Sequence, residues 1–190
     1  HLVALGEAWT VAKKSNLDLN KAYKGIAVSS GNSFVHETES QVILNGSYNI
    51  NFTMDLVLKD TGLFDQLAKK SNLNLTKAYK GIAVSSGNSF VHETESQVIL
   101  NGSYNINFTM DLVLKDTSLF DELAQKLNAP LEISPKVVEI FKEGKKKYGS
   151  RAWSSMIVKR MEDLNNINFR ADGFPDELVD NEAEEKGYEI

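Results

Sequence analysis

A lysine and an aspartate stand next to each other at two places in the chain, each time inside a strongly apolar stretch. The pairs are Lys59–Asp60 and Lys115–Asp116, and both lie within the sequence Asn-Phe-Thr-Met-Asp-Leu-Val-Leu-Lys-Asp-Thr. An ionised pair in the middle of an apolar helix needs a charged partner, a bound ligand or access to water. Two interpretations therefore stay open: a helix face that reaches solvent or forms an ion pair, and the polar end of a binding site.

Two other polar clusters carry a weaker chemical signal. Residues 36–39 (His-Glu-Thr-Glu), repeated from His92, offer metal ligands but lack the second histidine four residues on that a helical zinc site requires. We therefore expect solvated helix surface or an interface contact there, and no metal. Residues 29–33 (Ser-Ser-Gly-Asn-Ser) are predicted to cap a helix, and the alternative is an anion held by their backbone amides. They match neither of the glycine-rich nucleotide-binding patterns.

These motifs occur twice because residues 12–67 and 68–123, here called repeat 1 and repeat 2, are nearly the same sequence. Of the 56 positions 52 are identical, and the four differences are Asp18/Asn74, Asn20/Thr76, Gly62/Ser118 and Gln66/Glu122. Old repeat families diverge between units, so this identity indicates a recent or engineered tandem duplication. A single site cannot use both copies equally. A 134-residue chain without one repeat is predicted to fold.

The composition is typical of a soluble globular protein, with 42% hydrophobic and 25% charged residues. The absence of cysteine excludes disulfides and thiolate metal sites. The net charge of −5 argues against nucleic acid as the main partner. No apolar run approaches the roughly 18 residues that span a bilayer, and no signal peptide is visible at the start. We therefore expect a cytoplasmic protein without a membrane partner, and a piece of something longer because His1 reads as mid-helix.

The spacing of apolar residues predicts an all-α fold. Helices are expected over residues 2–14, 19–28, 33–44 and 53–71, over the twins 75–84 and 89–100, and over 134–148 and 154–164. Asp18 and Asn74 are good N-caps, and Ser134 before a proline predicts another helix start. The helix that begins at Thr53 is apolar on several sides, which places it in the centre of the core. Residues from 165 onward are expected to form an acidic tail, draped over the surface or partly disordered.

Three stretches together resemble one known family. They are Gly6-Glu7-Ala8, residues 30–33 (Ser-Gly-Asn-Ser) and residues 52–60 (Phe-Thr-Met-Asp-Leu-Val-Leu-Lys-Asp). This combination is similar to the C-terminal helical domain of the β-hydroxyacid dehydrogenases, the group that contains 3-hydroxyisobutyrate dehydrogenase. The resemblance covers essentially the whole chain, including the acidic ending. It implies an all-α helical bundle of the type found in the C-terminal domain of 6-phosphogluconate dehydrogenase, extended here by the duplicated unit.

The resemblance also implies roles for the paired residues. Phe52 and Phe108 correspond to an aromatic beside the substrate, Asp60 and Asp116 to an acid in the substrate pocket, and Lys59 and Lys115 to a lysine near the nicotinamide end of the cofactor. Repeat 1 follows the interdomain helix and repeat 2 adjoins the C-terminal helices, so the choice of copy stays open. Neither the catalytic-lysine motif of the family nor Gly-x-Gly-x-x-Gly has a match in this sequence, so no catalytic residue is assigned.

The implied organisation is one domain over residues 1–190. It comprises the end of an interdomain helix (1–11), repeat 1 (12–67), repeat 2 (68–123), C-terminal helices (124–164) and the acidic tail (165–190). The implied function is the dimerisation and substrate-closing domain of an NAD(P)-dependent 3-hydroxyacid oxidoreductase. Its partners would be a Rossmann domain that carries NAD or NADP and a second copy in a homodimer. These 190 residues alone are expected to bind no cofactor and to be inactive. The alternative is a non-catalytic interaction scaffold or a fused, intramolecular pseudo-dimer.

Overall fold

The computed structural model describes residues 1–68 and 74–179, and for residues 64–68 it describes the backbone only. Its helices are α1 (Leu2–Lys14), α2 (Leu19–Ala27), α3 (Phe34–Leu44), α4 (Met54–Ala68), α5 (Leu75–Ala83), α6 (Phe90–Glu93), α7 (Glu95–Asn101), α8 (Met110–Lys126), α9 (Ile133–Tyr148) and α10 (Lys159–Asn165), and a 3-10 helix spans Ser154–Val158. The described residues form no sheet, so the all-α prediction is confirmed. The predicted continuation of α4 to residue 71 lies outside the described residues.

Polar side chains start the helices of the repeats, as the sequence predicts. The Asp18 carboxylate accepts hydrogen bonds from the backbone N–H groups of Asn20 and Lys21 at 2.8 and 3.3 Å. Asn74 accepts from the Lys77 N–H at 3.0 Å. Such caps satisfy N–H groups that have no partner within the helix. Because Asp and Asn both provide the acceptor, the difference between the repeats at this position preserves the helix start.

The start of α9 differs from the prediction. The helix begins at Ile133, and Glu132 at the N-cap makes no side-chain cap bond, so Ser134 is not the cap. The carboxylate of Glu7 in α1 takes this role instead. It accepts hydrogen bonds from the N–H groups of Glu132 and Ile133, each at 2.6 Å, and of Ser134 at 3.0 Å. The cap therefore joins the first helix to α9.

Two apolar clusters hold α1 in place. In the first, Leu5 and Trp9 of α1 pack with Val35 of α3, and residues of α2 cover them. In the second, Val11 of α1 packs with Ala124 at the end of α8 and with Ala129 before α9. One face of α1 thus contacts repeat 1 and another contacts the end of repeat 2. Burial of these side chains provides the main driving force for the arrangement.

The two repeats bury opposite halves of the same sequence. Repeat 1 buries its first half, including Val35, His36 and Ser40, whereas repeat 2 buries its second half, with Val98, Ile99, Leu100, Tyr104, Thr109 and Met110. Tyr48, the counterpart of Tyr104, is 69% exposed. The first half packs on α1 and the second half on the C-terminal helices. Together the two halves make one complete packing unit.

The prediction that the helix beginning at Thr53 lies in the centre of the core is wrong, and its twin α8 is packed more closely than α4. Met110 in α8 is fully buried, whereas its counterpart Met54 in α4 is 81% exposed, and residues 51–63 are exposed throughout. The reason is that α8 packs on α9 and on the segment that follows α9. That support lies outside the repeat and therefore exists once in the chain.

The same eleven residues form one helix in repeat 1 and two in repeat 2. Helix α3 runs unbroken from Phe34 to Leu44, whereas its twin is interrupted at Thr94, whose φ and ψ are −103° and −75°. The sequences are identical over this stretch. The break is therefore imposed by packing, because α6 contacts α5 on one side of it and α7 contacts the 3-10 helix on the other.

A reciprocal pair of backbone hydrogen bonds joins the two repeats. The Phe34 N–H donates to the Asn88 carbonyl at 3.3 Å, and the Phe90 N–H donates to the Asn32 carbonyl at 3.2 Å. These bonds flank an antiparallel bridge between Ser33 and Ser89. Phe34 and Phe90 are equivalent positions of the two repeats, and so are Asn32 and Asn88, so exchanging the repeats turns one bond into the other. The contact therefore has the form of a two-fold symmetric interface.

The chain after α10 is irregular and follows the surface of repeat 2, as expected for the tail where it is described. Phe174 packs edge-on against Tyr79, with ring centres 5.0 Å apart, and its carbonyl accepts from the Asn101 side chain at 3.0 Å. The prediction of one helix over 154–164 is partly right, because a 3-10 helix precedes α10. Every helix in the described part of the chain is too short or too polar to cross a bilayer.

Candidate functional site

The repeat-2 candidates lie on a helix that the C-terminal segment holds firmly. At the start of α8, the Met110 N–H donates to the Ala152 carbonyl and the Ser154 N–H donates to the Phe108 carbonyl, both at 2.8 Å. These bonds flank an antiparallel bridge between Thr109 and Trp153. The carbonyl of the candidate Phe108 is thus fixed by the same contact that anchors α8.

A hydrogen-bonded aspartate secures this end of α8. The Thr109 hydroxyl donates to Asp111 at 2.5 Å, and the Arg151 guanidinium lies 3.7 Å from the other oxygen of the same carboxylate. The Thr109 hydroxyl is the main cause that lowers the pKa of Asp111, and Arg151 adds to it. A carboxylate in the first turn of a helix also interacts favourably with the helix dipole.

Both lysine–aspartate pairs reach water, which confirms the surface interpretation of these charges. The Lys115 Nζ lies 3.1 Å from Asp116 Oδ1, and the two side chains are 60% and 55% exposed. In repeat 1 the Lys59–Asp60 distance is 3.6 Å with the same exposures. Such exposed pairs contribute little to stability. Each charge is therefore available to a ligand or to another protein domain.

Each aromatic candidate lies just before the helix that carries the charged pair. Phe108 is 37% exposed and Phe52 is 44% exposed. Lys115 follows Phe108 by seven residues, and Phe108 lies two residues before the first residue of α8. Phe52 and Lys59 repeat this spacing on an unsupported helix. An aromatic ring and a carboxylate suit the apolar part and the hydroxyl of a small hydroxy acid, and the cation suits a further polar or anionic ligand group.

The expectation of solvated surface or an interface contact is wrong for His36. His36 is completely buried between the rings of Trp9 and Tyr23, with ring centres 5.8 and 4.7 Å away. Its Nε2 donates to the Tyr23 carbonyl at 3.0 Å, and Nδ1 accepts from the Ser40 hydroxyl at 3.1 Å. Both ring nitrogens are occupied, so the residue belongs to the core. No group of three potential metal-ligating side chains occurs among the described residues.

One buried polar cluster carries no sequence signal and organises the end of the chain. The Glu162 carboxylate is 2% exposed and accepts hydrogen bonds from the Tyr104 hydroxyl at 2.6 Å, from the Phe169 N–H at 2.7 Å and from Arg170 Nη1 at 2.7 Å. Although burial acts to raise the pKa of Glu162, these donors outweigh it and lower the pKa. Burial, reinforced by the bond to Glu162, raises the pKa of Tyr104 to about 12. The cluster joins α7, α10 and the tail.

These residues by themselves do not fit a dinucleotide. A pyrophosphate is usually held by backbone N–H groups of a glycine-rich turn between a strand and a helix. The described residues form no strand, and the sequence contains no Gly-x-Gly-x-x-Gly. Each candidate lysine offers one exposed cation. One cation can contact one edge of a nicotinamide nucleotide, but it cannot hold the pyrophosphate in the way that a glycine-rich turn does.

Comparison with known proteins gives this arrangement a family context. A family profile described as NAD-binding of NADP-dependent 3-hydroxyisobutyrate dehydrogenase matches twice, over residues 1–75 and 66–161. Relatives include L-threonate dehydrogenase of Haemophilus influenzae and of Pectobacterium atrosepticum. Each is 28% identical over 102 residues, which are 52% of this chain and 34% of the relative. L-threonate dehydrogenase of Escherichia coli K12 is 28% identical over 78 residues, 41% of this chain and 26% of the relative.

The chain matches about a third of the length of these relatives. No solved structure gives a significant match. The two profile matches together cover residues 1–161, which is most of the chain, and they extend over the helices that carry all six candidate residues. The chain is therefore a member of the NAD(P)-dependent 3-hydroxyisobutyrate dehydrogenase family of β-hydroxyacid dehydrogenases.

Proposed function

We propose that the chain is the helical substrate-closing and dimerisation domain of an NAD(P)-dependent 3-hydroxyacid oxidoreductase. The observation that carries this proposal is the exposed Lys115–Asp116 pair on a helix anchored at both ends. Its N-terminal end is hydrogen-bonded to residues 152–154, and Ala124 near its other end is 1% exposed. A site that closes over a substrate needs such rigid support for its polar groups.

Repeat 2 is the better supported copy. The repeat-1 residues Lys59 and Asp60 stand on α4, and Phe52 lies just before it. This helix is exposed along residues 54–63 and lacks the support that α8 receives. We therefore assign Phe108 to the apolar side of the substrate, Asp116 to its hydroxyl, and Lys115 to the nicotinamide end of the cofactor. The Rossmann domain of the parent enzyme would supply the dinucleotide cradle and the proton-transferring lysine.

The direct test joins this chain, through His1, to the Rossmann domain of a family dehydrogenase. We expect turnover of 3-hydroxy acids with NAD or NADP, and a loss of about tenfold or more in kcat/KM for Lys115→Ala. Lys59→Ala is the matched control and should leave kcat/KM within about twofold. Equal losses in both variants, or a loss confined to Lys59→Ala, would contradict the choice of repeat 2.

The 190 residues without that domain should be inactive. Fluorescence titration with NADH and NADPH, followed by a turnover assay with 3-hydroxy acids, tests this point. We expect neither saturable binding nor turnover, because no glycine-rich cradle is present in the sequence. Saturable binding would contradict the proposal that the Rossmann domain, and not this chain, binds the cofactor.

A fused pseudo-dimer is the second candidate, and the reciprocal bridge between Ser33 and Ser89 favours it. In this alternative each repeat provides for the other a contact that two subunits would otherwise make. Light scattering separates the alternatives. A monomer supports internal pairing, whereas a stable dimer supports a dimerisation domain that works between chains.

A further inference from the structure

Helix α8 docks on a surface that we call the C-terminal cradle, defined as α9 together with residues 149–158. The deepest contact is made by Met110, which is fully buried beside Gly144 of α9. Around it, the backbone of residues 108–111 hydrogen-bonds to residues 150–154. The contact therefore combines one fully buried side chain, Met110, with backbone hydrogen bonds from residues 108–111.

Helix α4 carries the same docking sequence. Residues 52–61 of repeat 1 are identical to residues 108–117 of repeat 2, so Phe52, Thr53, Met54 and Asp55 are equivalent to the four residues that contact the cradle. The four differences between the repeats all lie elsewhere. The only one in the first ten residues of α4 is Gly62, opposite Ser118 in α8. The residues that make the named cradle contacts are therefore the same in both helices.

The helix that is not docked leaves its apolar face in water. Met54, Leu58 and Val57 are 81%, 70% and 40% exposed. Exposure of this much apolar surface is unfavourable. The structure also shows what covers such a face, because the identical face of α8 is covered by the cradle.

We propose that α4 and α8 are interchangeable occupants of the C-terminal cradle, so that one chain exchanges between two registers that differ by 56 residues. In the second register Met54 lies beside Gly144, Tyr48 donates to Glu162, and Lys59–Asp60 occupy the position of Lys115–Asp116. Repeat 1 then supplies both halves of the packing unit, and repeat 2 leaves the bundle after Ala68.

The two registers differ little in free energy because their cradle contacts are the same. Glycine is a poorer helix former than serine by a factor of about two in equilibrium, which favours α8 slightly. The Ser33–Ser89 bridge also belongs to the register with α8 docked. A minor state of this kind is usually populated at about 0.1–10%. Exchange within one chain is favoured over exchange between chains by the high effective concentration of a tethered helix.

A disulfide test can separate the registers because the chain contains no cysteine. Thr109 and Trp153 face each other across an antiparallel bridge, flanked by the bonds from Met110 to Ala152 and from Ser154 to Phe108. In this pattern the Cα atoms lie about 4.5 Å apart, within the range that a disulfide spans. Thr109→Cys with Trp153→Cys reports on docked α8, and Thr53→Cys with Trp153→Cys reports on docked α4.

Both pairs should form a disulfide within a monomer under mild oxidation, as read by non-reducing electrophoresis and peptide mass mapping. The pair at residues 53 and 153 should react more slowly, by no more than about a thousandfold, the ratio set by the minor population. Leu58→Cys with Trp153→Cys is the control for random collisions and should react more slowly still. A reaction of the 53–153 pair no faster than this control, or one that gives dimers alone, would overturn the proposal.

A second set of variants shifts the register on purpose. Met110→Asp places a charge in the cradle contact of α8 and should speed formation of the 53–153 disulfide at least about tenfold. Met54→Asp should slow it and leave the 109–153 disulfide unchanged. The double variant Met54→Asp with Met110→Asp should lose both disulfides. If Met110→Asp alone abolishes both, then α4 cannot replace α8 and the proposal fails.

Discussion

Tyr104 donates its hydroxyl hydrogen to the buried carboxylate of Glu162 at 2.6 Å, whereas the equivalent Tyr48 is 69% exposed. Two identical residues thus have different surroundings within one chain. The comparison isolates the effect of tertiary position, because the neighbours in sequence are also the same over residues 44–52 and 100–108.

Removal of the Tyr104 hydroxyl should therefore destabilise the chain. Tyr104→Phe leaves the buried Glu162 carboxylate with one donor fewer, and we expect a loss of about 1–3 kcal/mol in the free energy of unfolding. Tyr48→Phe is the matched control, with an expected change within about 0.5 kcal/mol. Urea denaturation followed by circular dichroism measures both. Equal effects of the two variants would mean that the Glu162 cluster does not contribute to stability.

The carboxylate of Glu7 should make stability depend on pH in the acid range. Burial acts to raise the pKa of Glu7, but the three backbone N–H groups at the start of α9 outweigh it and bring the pKa below 4.5. Because the pKa is lower in the folded state, the stabilisation is complete above the unfolded pKa and disappears as the pH falls through the folded pKa.

Glu7→Gln tests this dependence. The neutral amide is a weaker acceptor for the helix N–H groups, so we expect a loss of about 1–2 kcal/mol at neutral pH. Melting temperatures between about pH 7 and pH 3 should then fall less steeply for the variant than for the parent. Parallel curves would show that Glu7 does not titrate as a cap.

Gly102 and Gly46 form another matched pair. Both have positive φ angles, +100° and +83°, but a Cβ at Gly102 would collide with the Arg170 side chain, whereas the space beside Gly46 is open. Gly46→Ala should cost about 1 kcal/mol through backbone strain alone. Gly102→Ala should cost about 1–2 kcal/mol more, because Arg170 must move away from Glu162. Denaturant midpoints give both values, and faster proteolysis between residues 166 and 179 should accompany only the second variant.

The buried imidazole of His36 should contribute more to stability than that of His92. His36→Leu leaves the Ser40 hydroxyl and the Tyr23 carbonyl without partners in a dry environment, at a cost of about 2–3 kcal/mol. His92 makes the equivalent bonds to Tyr79 and Ser96 but is only partly buried, so water can replace them. His92→Leu should therefore cost less than about 1 kcal/mol. A larger effect for His92→Leu would contradict the packing of α1 on repeat 1.

The local signals of the sequence predicted most helices and the caps at Asp18 and Asn74, because a cap depends on residues within three positions. The cap at α9 could not be predicted in this way, since its acceptor is Glu7, 125 residues before Glu132. The same limit applies to the pairing of Arg170 with Tyr104.

The sequence identified the residues of the candidate site but not their positions in the fold. The resemblance implies roles for the charged pairs and the phenylalanines, and the sequence left open whether the charges reach water. The different burial of α4 and α8 could not be predicted. It depends on the support from α9 and the segment after it, which occurs once, whereas the helix that can pack on it occurs twice. The break between α6 and α7 has the same cause. It could not be predicted at Thr94, because the identical sequence in repeat 1 forms the unbroken helix α3.

The bridge between Ser33 and Ser89 also changes how the two halves of the chain respond to dilution. Two separate subunits that met through such a contact would part at low concentration, whereas the contact between two segments of one polypeptide does not depend on concentration. Mutations also act differently: in a dimer of identical subunits every substitution appears on both sides of the contact. Here each side is encoded separately, so residues 32–34 and 88–90 are free to diverge from one another.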